Sequence, residues 1–315
     1  MMYARPTILF HAHLETIYPS LFRKINFIPY ERERITTPDH DFLDLDWLKQ
    51  ESKKLVVISH GLEGNTGRSY MRGMARAFFQ NGYDVLTWNY RGCGEEMNKK
   101  LRFYHSGATD DLDGVIQHAS QLGKYSDMSL IGFSLGGNLT LKYLGERGAT
   151  IPAALKKAVA FSAPVHLHSS CLKISQRANW IYSYRFLKSL KSKIIQKSKA
   201  MPELDAQGVD SIATLMEFDD KFTAPIHGFR DAIDYYTKNS SLQYLKDIKI
   251  PTLIASAQND PFLSRECFPT EESMQNPNLK MDFPEFGGHV GFTLFNQNGL
   301  YWSELRALEF IDTIK

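Results

Sequence analysis

The stretch Leu130 to Gly148, "LIGFSLGGNLTLKYLGERG", sets a serine between glycines: Gly132-Phe133-Ser134-Leu135-Gly136, or G-x-S-x-G. Glycines at these two places remove side chains that would block a tight strand-to-helix reversal, and the reversal lifts the central hydroxyl into the open. The chemistry this suits is nucleophilic acyl transfer. A serine hydroxyl attacks only if a base takes its proton, and the base needs an acid to orient it. Glycine and serine are common enough for the motif to arise by chance, so its context decides.

Two partners stand downstream in the order serine, acid, histidine. Asp260 follows the apolar run "TLIASA" in "QNDPF", and His289 sits in "FGGHVGF", where two glycines permit a tight turn. Asp260 would accept the Nδ1 proton of His289, leaving Nε2 to receive the Ser134 proton. Taken singly, Asp260 is an Asn-Asp-Pro turn residue and His289 an ordinary loop histidine. For the oxyanion, the glycine-rich "SHGLEGNTGRSY" offers the backbone N–H of Leu62, and the head of the next helix offers that of Leu135. "NTGR" is not a phosphate loop, because G-K-[ST] is absent and the glycine spacing differs. No nucleotide, cofactor or metal is expected. The pairs His11/His13 and His166/His168 have the H-x-H spacing of some metal ligands but lack acidic or Cys company. His227 reads as a structural or pocket-lining residue, and Cys93 as a packed loop thiol without a base.

Positioning three distant side chains requires strands that end at one edge. "KKLVVISH", "YDVLTWNY", "DMSLIGF", "KKAVAFSAPV", "IPTLIASAQND" and "LKMDFPEFGGH" read as strands. Helical patterns in "SYMRGMARAFFQNG", "TDDLDGVIQHASQLG", the segment after Ser134 and the closing "LYWSELRALEFIDTIK" alternate with them. That alternation implies a mostly parallel sheet covered on both faces. From 166 to 245 the pattern is helical, which predicts a cap inserted over the carboxyl ends of the strands within a single domain spanning 1–315. In the cap, "RFLKSLKSKIIQKSK" puts Phe186, Leu187, Leu190 and Ile194 on one helical face and Lys188, Lys191, Lys193 and Lys197 around the others. Such a basic amphipathic helix can lie on an anionic lipid surface; the plainer reading packs the stripe on the domain and solvates the lysines.

Composition bounds the rest. The chain has 315 residues, 43% hydrophobic and 23% charged, with a formal net charge of +2. Those values suit a globular protein with a sizeable core and give no field that would attract nucleic acid. Cys93, Cys171 and Cys267 are sparse and odd in number, which argues for reduced thiols. The first residues lack a long apolar core and a cleavage site, and no stretch reaches membrane-span length, so a cytoplasmic protein is expected.

The blocks "HLETIYPSLFR", "FLDLDW", "HGLEGNTGRSYMRGMA", "WNYRGCG", "GFSLGGNLTLKYLGE", "FDDKFTAPIHGFRDAIDYY", "ASAQNDPF" and "GGHVGF" resemble the YheT-like branch of the α/β-hydrolases along nearly the whole chain. The resemblance implies an α/β-hydrolase fold, with Ser134 as nucleophile, Asp260 as acid and His289 as base. It also implies a serine carboxylic ester hydrolase acting on short- to medium-chain or lipid esters. Alkoxides leave more readily than amines, which agrees. An acyltransferase using an alcohol in place of water, and a non-catalytic binding protein on the same fold, are the alternatives. The membrane anchor common in eukaryotic relatives is not carried over, and "DHDF" after Pro38 departs from the family's Asp-Gly turn.

Overall fold

The structure is a computed structural model, describing residues 1–26, 30–270 and 275–313. Lys54–Ser59 (β3), Asp84–Asn89 (β4), Asp127–Phe133 (β5), Leu155–Phe161 (β6), Thr252–Ala255 (β7) and Leu279–Asp282 (β8) run parallel. In β3 the side chains of Leu55, Val56, Val57 and Ile58 are all buried. Only a strand covered on both faces reads as an unbroken apolar run, and each such side chain contributes roughly 1.5–3 kcal/mol.

Two further strands precede these. Glu31–Thr36 (β1) pairs antiparallel with Phe42–Leu48 (β2), and β2 pairs antiparallel with β4, giving the order β1-β2-β4-β3-β5-β6-β7-β8. The pattern of "FLDLDW" alone does not announce a buried strand, because it alternates apolar residues with aspartates as an exposed one would. Asp44 and Asp46 are nevertheless buried. Arg34 Nε donates to Asp44 at 2.7 Å, and the Arg32 guanidinium holds Asp46. Thus β2 is buried on both faces because β1 supplies its counter-charges.

Helices cover both faces of the sheet. Ser69–Gln80 (α2) and the C-terminal helix Trp302–Asp312 pack on one, where Met74, Phe78 and Trp302 share a cluster with Ile58 and Phe133. Thr109–Gln121 (α3) and Leu135–Arg147 (α4) cover the other, with Leu112, Val115, Leu139 and Leu141 inside. Ala12–Phe22 forms a helix at the N-terminal side that periodicity had not indicated.

Between β6 and β7 the chain is helical. Leu167–Ile174 (α5), Trp180–Ala200 (α6), Leu215–Phe218 (α7), Ala224–Ile226 (α8) and Ala232–Asn239 (α9) close a core of their own around Leu187, Ile194, Phe218, Phe222 and Tyr236. The apolar stripe of α6 faces this core. Two of its five lysines do not face solvent. Lys197 is buried and donates to Asn98 Oδ1 at 2.8 Å and to the carbonyls of Lys100, Leu101 and Arg102; burial pushes its pKa down to about 7. Lys193 turns inward to Glu63 at 2.7 Å.

Candidate active site

Ser134 joins β5 to α4 at φ 53°, ψ −118°, a conformation that strains any residue bearing a Cβ. The turn around it is too close for side chains. A Cβ on Gly132 would meet the Gly136 carbonyl oxygen at 2.1 Å, and one on Gly136 would meet the His60 and Ser59 carbonyls at 2.5 Å. All of these neighbours are backbone and cannot yield, so the two motif glycines are required by contact between β5, α4 and the end of β3.

The structure brings Ser134, His289 and Asp260 together. His289 Nδ1 lies 2.8 Å from Asp260 Oδ2, and His289 Nε2 lies 2.9 Å from Ser134 Oγ. A carboxylate can only accept, so Nδ1 carries the proton and Nε2 is left to accept from the hydroxyl. Asp260 is buried, its second oxygen accepting from the Phe262 amide at 2.8 Å, which fixes the carboxylate plane. The Phe262 ring lies 4.1 Å from the imidazole and covers one of its faces.

The His289 loop is held by residues that the sequence reading missed. Thr16 Oγ1 accepts from the His289 amide at 2.9 Å, Asn259 Oδ1 from the Gly288 amide at 3.0 Å, and Ser162 Oγ from the Val290 amide at 3.0 Å. Glu15, fully buried, accepts from Asn259 at 2.6 Å; burial pushes its pKa up, with the Asn259 bond opposing. The N-terminal helix therefore carries half the clamp, and a Cβ on Gly288 would strike it at 2.7 Å. The signal available was the block "HLETIYPSLFR", which contains Glu15 and Thr16.

Gly61 to Gly64 form a tight turn after β3, closed by the Gly64 amide donating to the Gly61 carbonyl at 3.0 Å, with Glu63 at φ 53°. Among the described residues the Leu62 and Leu135 amides donate to no protein acceptor, and both residues line a cavity with Ser134. His60 anchors the turn from below. Its Nδ1 donates to the Gly61 carbonyl at 2.8 Å and its Nε2 accepts from the Tyr90 amide at 3.2 Å. Burial pushes its pKa down to about 3, so it is a neutral structural pin. Asn138 on α4 ties the site to the helical segment above, donating to the carbonyls of Ser106 and Asn239 and accepting from the Ser241 amide at 2.9 Å.

The remaining candidates lie apart. His13 pairs with the Tyr182 hydroxyl at 3.0 Å, His166 caps α5, and His227 bonds the Thr223 and Phe103 carbonyls. Cys93 is buried, which pushes its thiol up to about 11 even though Lys193 donates to its sulfur. Among the described residues, no helix is long and apolar enough to cross a membrane.

Comparison with known proteins gives the family and the fold. The family model described as serine aminopeptidase S33 (Hydrolase_4) matches residues 50–267, a span that contains Ser134 and Asp260 and stops before His289. The chain is 34% identical to the Escherichia coli protein YheT over 96% of its own length and 91% of that protein's. It is 30% identical to the phospholipase ABHD3 of Bos taurus, over 84% of this chain and 67% of that one. Among solved structures, the Pyrococcus furiosus esterase Pf2001 shares the fold with a TM-score of 0.60 at 19% identity, covering 91% of this chain and 96% of that chain. The chain belongs to the YheT-like branch of the α/β-hydrolases, and is an esterase- and lipase-like serine hydrolase.

Proposed function

We propose that Ser134 is the nucleophile of a two-step carboxylic ester hydrolysis, with His289 as its base and Asp260 as the orienting acid. The observation that carries this reading is the unbroken chain Asp260–His289–Ser134, with contacts of 2.8 and 2.9 Å, at a strained strand-to-helix turn. Ser134 Oγ attacks the ester carbonyl carbon while its proton passes to His289 Nε2. The oxyanion rests on the amides of Leu62 and Leu135, which have no other acceptor to lose. The ester C–O bond then breaks, and the same proton goes to the departing alkoxide. Water, deprotonated by His289, attacks the acyl-enzyme; the acid leaves and Ser134 regains its proton.

The segment 166–245 acts as a cap over this centre, with Leu167, Phe186, Leu190 and Leu215 walling a cavity that contains Ser134. The named phospholipase relative, and a monoacylglycerol lipase of Saccharomyces cerevisiae at 24% identity over 84% of this chain and 60% of that one, support ester substrates of lipid type. A cytoplasmic setting goes with the reading, since all three cysteines are buried and unpaired.

Hydrolysis of p-nitrophenyl butyrate tests it. Ser134→Ala should lower kcat by a factor of about 10³ or more. Undiminished turnover in that variant would refute the assignment.

A further inference from the structure

Ser134 lines two cavities at once. The larger, about 620 Å³, also contains His289 and the C-terminal half of the N-terminal helix. The smaller, about 120 Å³, runs beneath the cap and contains Leu135, Leu167, Ile174, Leu190 and Tyr235. Leu62, Phe186 and Phe262 are walls of both.

The proposed acyl chemistry, on which this inference rests, orients a substrate between them. The leaving oxygen must come within reach of the imidazole that protonates it, and His289 lines only the larger cavity. The carbonyl oxygen must face the Leu135 amide, and Leu135 lines only the smaller. The acyl chain therefore enters the smaller, apolar compartment, and the alcohol occupies the larger.

The larger compartment is strongly cationic. Lys24, Arg68, Arg72 and Arg185 line it, and among the described residues none of the four forms an ion pair with a carboxylate. Arg23 also lines it, but is neutralised by Glu304 at 2.7 Å. Among the described residues Glu63 is the one carboxylate of the lining, and it is already engaged by Lys193 at 2.7 Å, Tyr104 at 2.7 Å and the Ser189 hydroxyl. Among the described residues, Arg72, whose side chain lines this cavity, has a buried Nε with no hydrogen-bond partner. A chain with a formal net charge of only +2 thus leaves four unneutralised cations around one cleft that ends at Ser134. Clefts lined by one sign of charge concentrate the opposite sign, and guanidinium groups match phosphate and carboxylate oxygens in pairs.

We propose that the alcohol portion of the substrate carries an anionic group, a phosphate or a carboxylate, bound in this compartment by Arg68, Arg72 and Arg185, with Lys24 at the solvent side. The enzyme is accordingly selective for esters of anionic alcohols, whatever the source of the anion.

Three soluble esters of one acyl group test this without a lipid surface: 1-butyrylglycerol 3-phosphate, the butyryl ester of glycerate, and uncharged 1-butyrylglycerol. At least one anionic ester should exceed 1-butyrylglycerol in kcat/KM by about tenfold or more, and which one does so names the anion. That ratio should fall about fivefold or more in Arg72→Gln and in Arg185→Gln, and also in about 0.5 M NaCl. Arg185 is exposed on α6, so its replacement leaves the core intact. Calorimetry of sn-glycerol 3-phosphate and of glycerate with the Ser134→Ala protein provides a readout independent of turnover, with binding lost in the Arg72→Gln background. Turnover of 1-butyrylglycerol with a ratio near one and no binding of either anion would overturn the inference and leave the ester reading intact. Arginine-dependent binding of an anion without turnover of any ester would do the reverse.

Discussion

Lys193 on helix α6 and Glu63 on the turn that presents the Leu62 amide form an ion pair of 2.7 Å, with Glu63 almost wholly buried. Lys193 Nζ also donates to Cys93 Sγ at 3.1 Å, and Tyr104 and Ser189 complete the shell of the carboxylate. Burial alone would lower the lysine pKa, but the facing Cys93 and Glu63 raise it, so Lys193 stays charged. Because Glu63 sits at positive φ next to Leu62, this contact fixes the turn to α6.

Lys193→Met removes the cation and strands the Glu63 carboxylate. Stability should fall by about 3 kcal/mol, and part of that should return in the double variant with Glu63→Gln, which leaves no buried charge. Urea unfolding of the four proteins measures the coupling; additive losses would mean that the two residues do not act through each other.

Asp260→Asn keeps the size of the side chain but offers an amide to Nδ1, favouring the imidazole tautomer that cannot accept from Ser134. A fall in kcat of about 10³–10⁴ with little change in KM is expected from steady-state kinetics on p-nitrophenyl butyrate.

Replacing Ser134 by glycine removes the Cβ from a backbone at φ 53°, ψ −118°. The inactive variant should gain about 1 kcal/mol and melt a few degrees higher, whereas Ser134→Ala should not. Calorimetry of the three proteins checks this, and an unstabilised glycine variant would mean that the turn is not strained.

His60 makes folding sensitive to acid. In the unfolded chain its imidazole titrates near 6.5, and in the fold burial holds it down to about 3. Below 6.5 the unfolded state binds a proton that the native state refuses, so this group's contribution is whole above 6.5 and is lost as pH falls toward 3. The loss is about 1.4 kcal/mol per pH unit, or about 2 kcal/mol by pH 5. His60→Gln should be less stable at pH 7 but show a shallower decline between pH 7 and pH 5, read from urea midpoints at each pH.

How much of this was legible in the sequence follows from how local each signal is. The inner parallel strands announced themselves because their side chains are buried on both faces, as the run Leu55–Ile58 illustrates, whereas the edge strand β8 is only partly covered. Ser134, Asp260 and His289 could be placed because each follows a parallel strand at the sheet's carboxyl edge. The β1–β2 hairpin was hidden by the neutralisation of Asp44 and Asp46 across strands, a pairing that composition cannot display. The clamp on the His289 loop was equally hidden: Thr16 and Ser162 act at sequence separations of 273 and 128 residues. In α6, helical periodicity found the apolar stripe, but whether Lys193 and Lys197 faced water depended on Glu63 and on the carbonyls of 100–102, far away in the chain.

Treatment with a fluorophosphonate, followed by intact mass and peptide mapping, tests the central assignment most directly. One adduct per chain on Ser134, absent in Ser134→Ala and slowed at least about a hundredfold in His289→Ala, is the predicted result. An unmodified Ser134 peptide in the folded wild-type protein, or labelling at the same rate without the imidazole, would contradict it.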